Sequence, residues 1–217
     1  MSETPEPAPF YNVIAGHNLD RLSGISDGIF AVVMTLLVLG LAVPAATGIT
    51  GEGDLAQALA DLLPNVVTYA MSFLTLGIFW VAHQTQFSQL KSSDRNYTWI
   101  NLGFLLAVTL VPFSTQLLAH FITFRVALLV YWLNILVLGF VILAGAEYAL
   151  RAHLFATEGQ AQRVVIGVIR RRVLVAQALY AVATALCVFN TYLSIALIVV
   201  IQLNYAVAPR IPLLHRL

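Results

Sequence analysis

The charged residues of this chain are grouped so that long apolar runs fall between them, and that spacing constrains the fold more than any short motif. A helix needs about 20 predominantly apolar residues to cross about 30 Å of bilayer hydrocarbon. Six stretches meet or approach that length: 23–43, 62–83, 99–118, 126–148, 173–189 and 193–207. The last two are separated only by Asn190, Thr191 and Tyr192, so they read as two spans with a tight turn, with one kinked segment as the alternative. Of 217 residues, 60% are hydrophobic and 10% charged, against about 45–50% and 25% in ordinary soluble domains. The expectation is an all-α integral membrane protein with six transmembrane helices. Residues 1–20, with Pro5, Pro7 and Pro9, read as a disordered tail without the basic start of a secretory signal. Residues 21–208 form the transmembrane domain, and 209–217 a short cytoplasmic tail beginning at Pro209.

Orientation follows from Lys and Arg, which cytoplasmic loops retain. With the N-terminus inside, Arg21, Lys91, Arg95, Arg151, Arg163, Arg170, Arg171, Arg172, Arg210 and Arg216 share one side and Arg125 alone lies on the other. Both termini are therefore expected in the cytoplasm, with an acidic loop carrying Glu52, Asp54 and Asp61 outside. A net charge of +1 leaves no basic excess for a phosphate backbone, which argues against nucleic acid. The single cysteine, Cys187, allows no intrachain disulfide or Cys-based metal cluster and reads as small core filler. No metal or cofactor is expected.

The polar residues inside the spans are the candidates for function. Ser26 and Asp27 sit in the opening turns of the first span; an intramembrane carboxylate is costly without a partner, although a helix N-terminus also favours negative charge. His83 and Asn101 are placed by the topology near the same ends of the second and third spans, so they can meet Arg21, Ser26 and Asp27 in one layer. Asn134 reads as an interhelical hydrogen-bonding residue. Glu147 has the favourable i, i+4 spacing to Arg151. A basic loop follows, in which Arg170, Arg171 and Arg172 are topogenic or meet anionic headgroups. On the first helix, at about 100° per residue, Val32, Thr35, Leu36 and Leu39 share a face. An all-apolar helix has stripes in every direction, so this one is equally a lipid or core stripe.

Gly24-Ile25-Ser26-Asp27-Gly28 fits the G-x-S-x-G elbow of serine hydrolases, but no strand precedes it. An intramembrane serine protease using Ser26 and His83 is a remote alternative. A proton- or ion-coupled transporter titrating Asp27 and His83 is a nearer one. No T-V-G-Y-G filter and no Walker phosphate loop occur, so neither a carbonyl-ring potassium filter nor ATP-driven transport is supported.

Arg21 with Ile25-Ser26-Asp27-Gly28-Ile29-Phe30-Ala31 and Thr35-Leu36-Leu37, then Phe79-Trp80-Val81-Ala82-His83, then Asn101 through Leu110-Val111-Pro112-Phe113, resembles the prokaryotic branch of the transmembrane protein 175 potassium channels. The resemblance runs over roughly residues 20 to 207 and is most specific in the first helix. It implies a homotetramer in a prokaryotic plasma membrane, not an enzyme, with the first helix of each subunit lining a central pore. Carried over by position, Val32, Leu36 and Leu39 are the hydrophobic constriction and Thr35 the hydroxyl layer linked to selectivity. Arg21, Ser26, Asp27, His83 and Asn101 are the structural polar network. Potassium ions, membrane lipids and further copies of the chain are the implied partners. The family has Phe at the position of Ile25 and more often Ile at that of Val32, which makes the first ring slightly wider here.

Overall fold

The computed structural model describes residues 18–207 other than Glu158; of the expected tails, 1–17 and all of 209–217, with Arg210 and Arg216, lie outside the described residues, whereas Asn18, Leu19 and Asp20, expected in the disordered tail, form the cap and first turn of a helix. The fold is all-helical. Helix α1 is Leu19–Leu36, α2 Glu52–Asp61, α3 Leu63–Phe87, α4 Arg95–Thr109, α5 Val111–His120, α6 Arg125–Arg151, α7 Gly159–Ala185 and α8 Thr191–Val207. Among the described residues, five segments are long and apolar enough to cross a membrane: Leu19–Gly40, Leu63–Phe87, Arg95–His120, Arg125–Arg151 and Gln162–Val188. The shorter apolar helix Thr191–Ala206 follows them.

Local chemistry sets most of the boundaries. Asn18 caps α1, its Oδ1 accepting the Arg21 amide at 3.0 Å, and Asp94 caps α4 by accepting the Tyr97 amide at 2.7 Å. Pro64 enters α3 in its first turn, where a missing N–H is harmless. Asn190 Oδ1 accepts the Tyr192 amide at 2.7 Å and so starts α8.

Several expectations change. The first span starts earlier than 23 and ends in a 3-10 turn, Leu37–Gly40. The acidic loop is largely helical, because Asp54 accepts from both the amide and the hydroxyl of Thr50 and fixes the first turn of α2. The third span breaks between α4 and α5, where Pro112 supplies no amide to the helix ladder. The basic loop is mostly α7: Arg163, Arg170, Arg171 and Arg172 stand on one continuous helix with the fifth span. Glu147 pairs with Arg170 of that helix, Nε to Oε1 at 3.3 Å, in place of the expected Arg151. The last two apolar stretches are separate helices, with a 3-10 turn at Leu186–Val188 between them, and pack on each other; the single kinked segment is not formed.

The bundle packs α6 against α4, α5 and α7, and α3 against α5 and α8, while α1 lies at the edge on α3 and α4. Its main core gathers Phe30, Val33, Met71, Leu76, Phe104, Leu128 and Ile135, all fully or nearly fully buried. Cys187 is buried in this core. Asn134 donates to Ser114 Oγ at 3.2 Å, joining α6 to α5. A second, smaller core of Leu22, Phe87, Leu90, Tyr97, Leu154 and Phe155 closes the end where α1 begins. There the chain after α3 pairs with the chain after α6, Lys91 N–H to Leu154 O at 2.9 Å and Ala156 N–H to Gln89 O at 2.8 Å.

Candidate functional site

Helix α1 has two faces with different fates. Leu22, Ser26, Phe30 and Val33, followed by Leu37, repeat at steps of three and four and are buried, the period of a helix lying on a bundle. The opposite face keeps Val32 57%, Leu36 43% and Leu39 71% exposed, with Thr35 also exposed. The 3-10 winding at Leu37–Gly40 stacks residues three apart along the axis, which brings Leu39 into line above Leu36. Thr35 Oγ1 donates to the Val32 carbonyl at 2.7 Å. Its proton is therefore committed to the helix, and its acceptor lone pairs remain on the exposed face.

The buried face is fastened by polar contacts at one level. Ser26 Oγ donates to Leu22 O at 2.8 Å and accepts from Asn101 Nδ2 at 3.2 Å. With its amide nitrogen so engaged, Asn101 presents Oδ1 to His83 Nε2 at 2.7 Å, which makes His83 the donor there. His83 Nδ1 is buried without a hydrogen-bond partner among the described residues. The imidazole is held flat between Phe87 and Phe104, at centroid separations of 4.3 and 5.2 Å. Beside this chain, Asp27 Oδ1 accepts from Trp80 Nε1 at 2.9 Å and from Gln84 Nε2.

Four of the five polar residues singled out in the sequence thus secure α1 to α3 and α4. Asp27 reaches α3 directly, and Ser26 reaches His83 through Asn101. Arg21 is exposed in the first turn and bonds to none of those four. Ser26 and His83 share Asn101 but no hydrogen bond, so the nucleophile–base contact of a hydrolase is not formed. Asp27 and His83 likewise have no direct bond. Among the described residues, no group of three or more His, Cys, Asp or Glu is placed to hold a metal ion.

A second polar cluster, unmarked in the sequence reading, lies deeper in the bundle. Tyr131 of α6 shares its hydroxyl with Thr75 Oγ1 at 2.9 Å and accepts from Ser72 Oγ at 3.4 Å. Thr115 of α5 donates to Ser72 at 2.6 Å, and Gln202 of α8 donates to Thr75 at 2.7 Å. Its signal was available: Thr68, Ser72, Thr75, Phe79, His83 and Gln86 recur at steps of three and four on α3, and all six are buried. Polar groups in lipid need partners on neighbouring helices, so a polar stripe on a membrane helix marks the face turned inward.

Residues 21–112 match the family described as endosomal/lysosomal potassium channel TMEM175. A protein of Chamaesiphon minutus named a potassium channel is 31% identical over 189 residues, covering 86% of this chain and 92% of that one. One from Streptomyces collinus, also named a potassium channel, is 40% identical over 102 residues, covering 47% of this chain and about half, 48%, of that protein. A chicken protein named an endosomal/lysosomal proton channel is 31% identical over 107 residues, 21% of its own length. The crystal structure of a lysosomal potassium-selective channel TMEM175 homologue from Chamaesiphon minutus superposes with a TM-score of 0.75 at 30% identity, over 88% of this chain and 97% of that one. On the strength of a relative matched along nearly its whole length, in sequence and in fold, this membrane protein belongs to the TMEM175 family.

Proposed function

We propose that the chain is a passive, potassium-preferring cation channel of a prokaryotic plasma membrane, assembled as a homotetramer around a path lined by α1. Residues 21–208 are the channel domain. Helix α8 completes six crossings, and both termini lie in the cytoplasm, where the positive charges gather. The observation that carries this reading is the division of α1: its inner face is buried and hydrogen-bonded, while Val32, Leu36 and Leu39 remain uncovered in a single subunit. Each subunit uses its other helices to bury its own core, so a continuous path requires several copies.

Four copies of Val32, Leu36 and Leu39 around an axis form an apolar neck that closes by dewetting. The Thr35 oxygens, with their protons turned toward Val32 O, add a ring of acceptors to that neck, which suits a partly dehydrated cation. Opening requires α1 to rotate or move outward, and the Ser26–Asn101–His83 chain with the Asp27 contacts sets how firmly it is held. The names of the bacterial relatives support potassium as the ion.

Planar-bilayer recording of the purified protein tests the reading. Unitary openings with a reversal potential favouring potassium under bi-ionic potassium/sodium conditions are expected. Flux without resolvable openings would favour a coupled transporter and overturn it. Native mass spectrometry of the solubilised protein is expected to give a mass of four chains.

A further inference from the structure

At the far end of the bundle from Ser26, the start of α6 and the α7–α8 turn enclose an open cavity of about 230 Å³. Its lining includes Thr123, Arg125, Asn190, Thr191 and Tyr192, with Cys187 at its base. Arg125 is the one Lys or Arg between Arg95 and Arg151. One Nη2–H bond to the Val188 carbonyl at 2.8 Å holds it across the turn. A guanidinium carries five donors, and Val188 O is the acceptor it meets among the described residues. Asn190 Oδ1 is already committed to the Tyr192 amide, and no carboxylate lines the cavity. The cavity is therefore cationic, rich in donors and empty of counter-charge, which suits an oxyanion held by charge-assisted hydrogen bonds.

Its depth in the membrane selects the kind of oxyanion. Arg125 is the first residue of a 27-residue helix, about 40 Å long, so its ends reach the headgroup zones of a bilayer. From Arg125 an exposed aliphatic ridge of Val126, Leu129, Leu133 and Val137 runs toward the membrane centre at steps of three and four. Exposed Tyr192 and Phe189 flank the cavity, side chains suited to the headgroup level. A cationic pocket opening onto an apolar ridge matches an amphiphile with an anionic head and an acyl tail.

We propose that this cavity binds the phosphate headgroup of a membrane phospholipid, with the tail lying along the outer ridge of α6. The inference needs only that α6 spans the membrane; it does not depend on what the protein conducts.

The full-length protein in detergent is titrated with short-chain phosphatidic acid, short-chain diacylglycerol and inorganic phosphate, while native mass spectrometry counts bound molecules and thermal unfolding reports the shift in midpoint. Phosphatidic acid is expected to bind and raise the midpoint, and diacylglycerol to do neither. Arg125→Gln is expected to weaken phosphatidic acid binding about tenfold or more, and Arg125→Lys less. Because Arg125 also holds the turn, Thr123→Asp is the second variant. It keeps the Arg125 guanidinium, brings a negative charge to the cavity and is expected to abolish binding. Equal binding of phosphatidic acid by wild type, Arg125→Gln and Thr123→Asp would overturn the site. Inorganic phosphate matching phosphatidic acid would make it a free-anion site and overturn the lipid assignment.

Discussion

Asn101 Nδ2 donates to Ser26 Oγ at 3.2 Å, joining two residues 75 positions apart on helices α4 and α1. The Oδ1 of the same amide accepts a hydrogen bond from His83 Nε2 at 2.7 Å, so one side chain ties three helices at the level where α1 is buried. Packing alone would allow α1 to slide or turn, since from Ile29 to Leu36 its surface is apolar except at Thr35. These bonds give it one register and one rotation.

Asn101→Ala is expected to destabilise the protein by about 1–3 kcal/mol, because it strands a buried His83 donor as well as removing the link to Ser26. Thermal unfolding in detergent measures it, and an unchanged midpoint would remove the layer from the account of α1.

Leu36→Ala is expected to raise basal conductance with little change in fold, since Leu36 is 43% exposed in the subunit. Potassium flux from liposomes is the measurement; flux equal to wild type would count against the apolar neck.

Thr35→Val removes an exposed hydroxyl whose one bond, to Val32 O, lies within its own helix. Unfolding should change little, while the reversal potential under bi-ionic potassium/sodium conditions should shift. An unmoved reversal potential would separate Thr35 from selectivity.

At Gly139 of α6, an added Cβ would run into the Gln177 side chain, whose amide bonds to Ile135 O at 3.1 Å. Gly139→Ala should therefore cost about 1–3 kcal/mol by overpacking the α6–α7 contact. Gly139→Ala combined with Gln177→Ala should recover part of that loss, and a double mutant as unstable as the sum of the two singles would mean that the clash is not the cause.

Outside the spans, the hydrogen bonds from the Thr50 hydroxyl and amide hold the Asp54 carboxyl below its ordinary value. A depressed value in the folded state contributes stability above the unfolded pKa that is lost as pH falls through the folded one. Hydrogen-exchange protection in the first turn of α2, corrected for intrinsic rates, should thus hold at pH 6 and decline below about pH 4. Asp54→Asn should remove that dependence.

The spans were legible because crossing a bilayer is a local requirement of length and apolarity: the run at 126–148 lies inside α6, and that at 62–83 lies inside α3 except for Leu62, which precedes its first residue. Ser26, Asp27, His83 and Asn101 were legible because polar groups are conspicuous in apolar sequence. Other features depended on contacts between distant segments. Glu147 meets Arg170 across α6 and α7, a choice that i, i+4 spacing within α6 had no means of anticipating. Ser72, Thr75, Thr115, Tyr131 and Gln202 come from four helices, and each alone resembles a tolerated hydroxyl or amide.

The sequence by itself determined that the chain enters a membrane as helices, roughly where the apolar spans lie, and that Ser26, Asp27, His83 and Asn101 stood out as polar residues within them. Tertiary structure decided which face of each helix turns inward. Hydropathy compares a residue with lipid, and on α1 it scores buried Val33 and exposed Val32 alike. The difference between them arises when Ser26 and Asp27 find their partners on α3 and α4, fixing the rotation of the whole helix and leaving Val32, Leu36 and Leu39 uncovered.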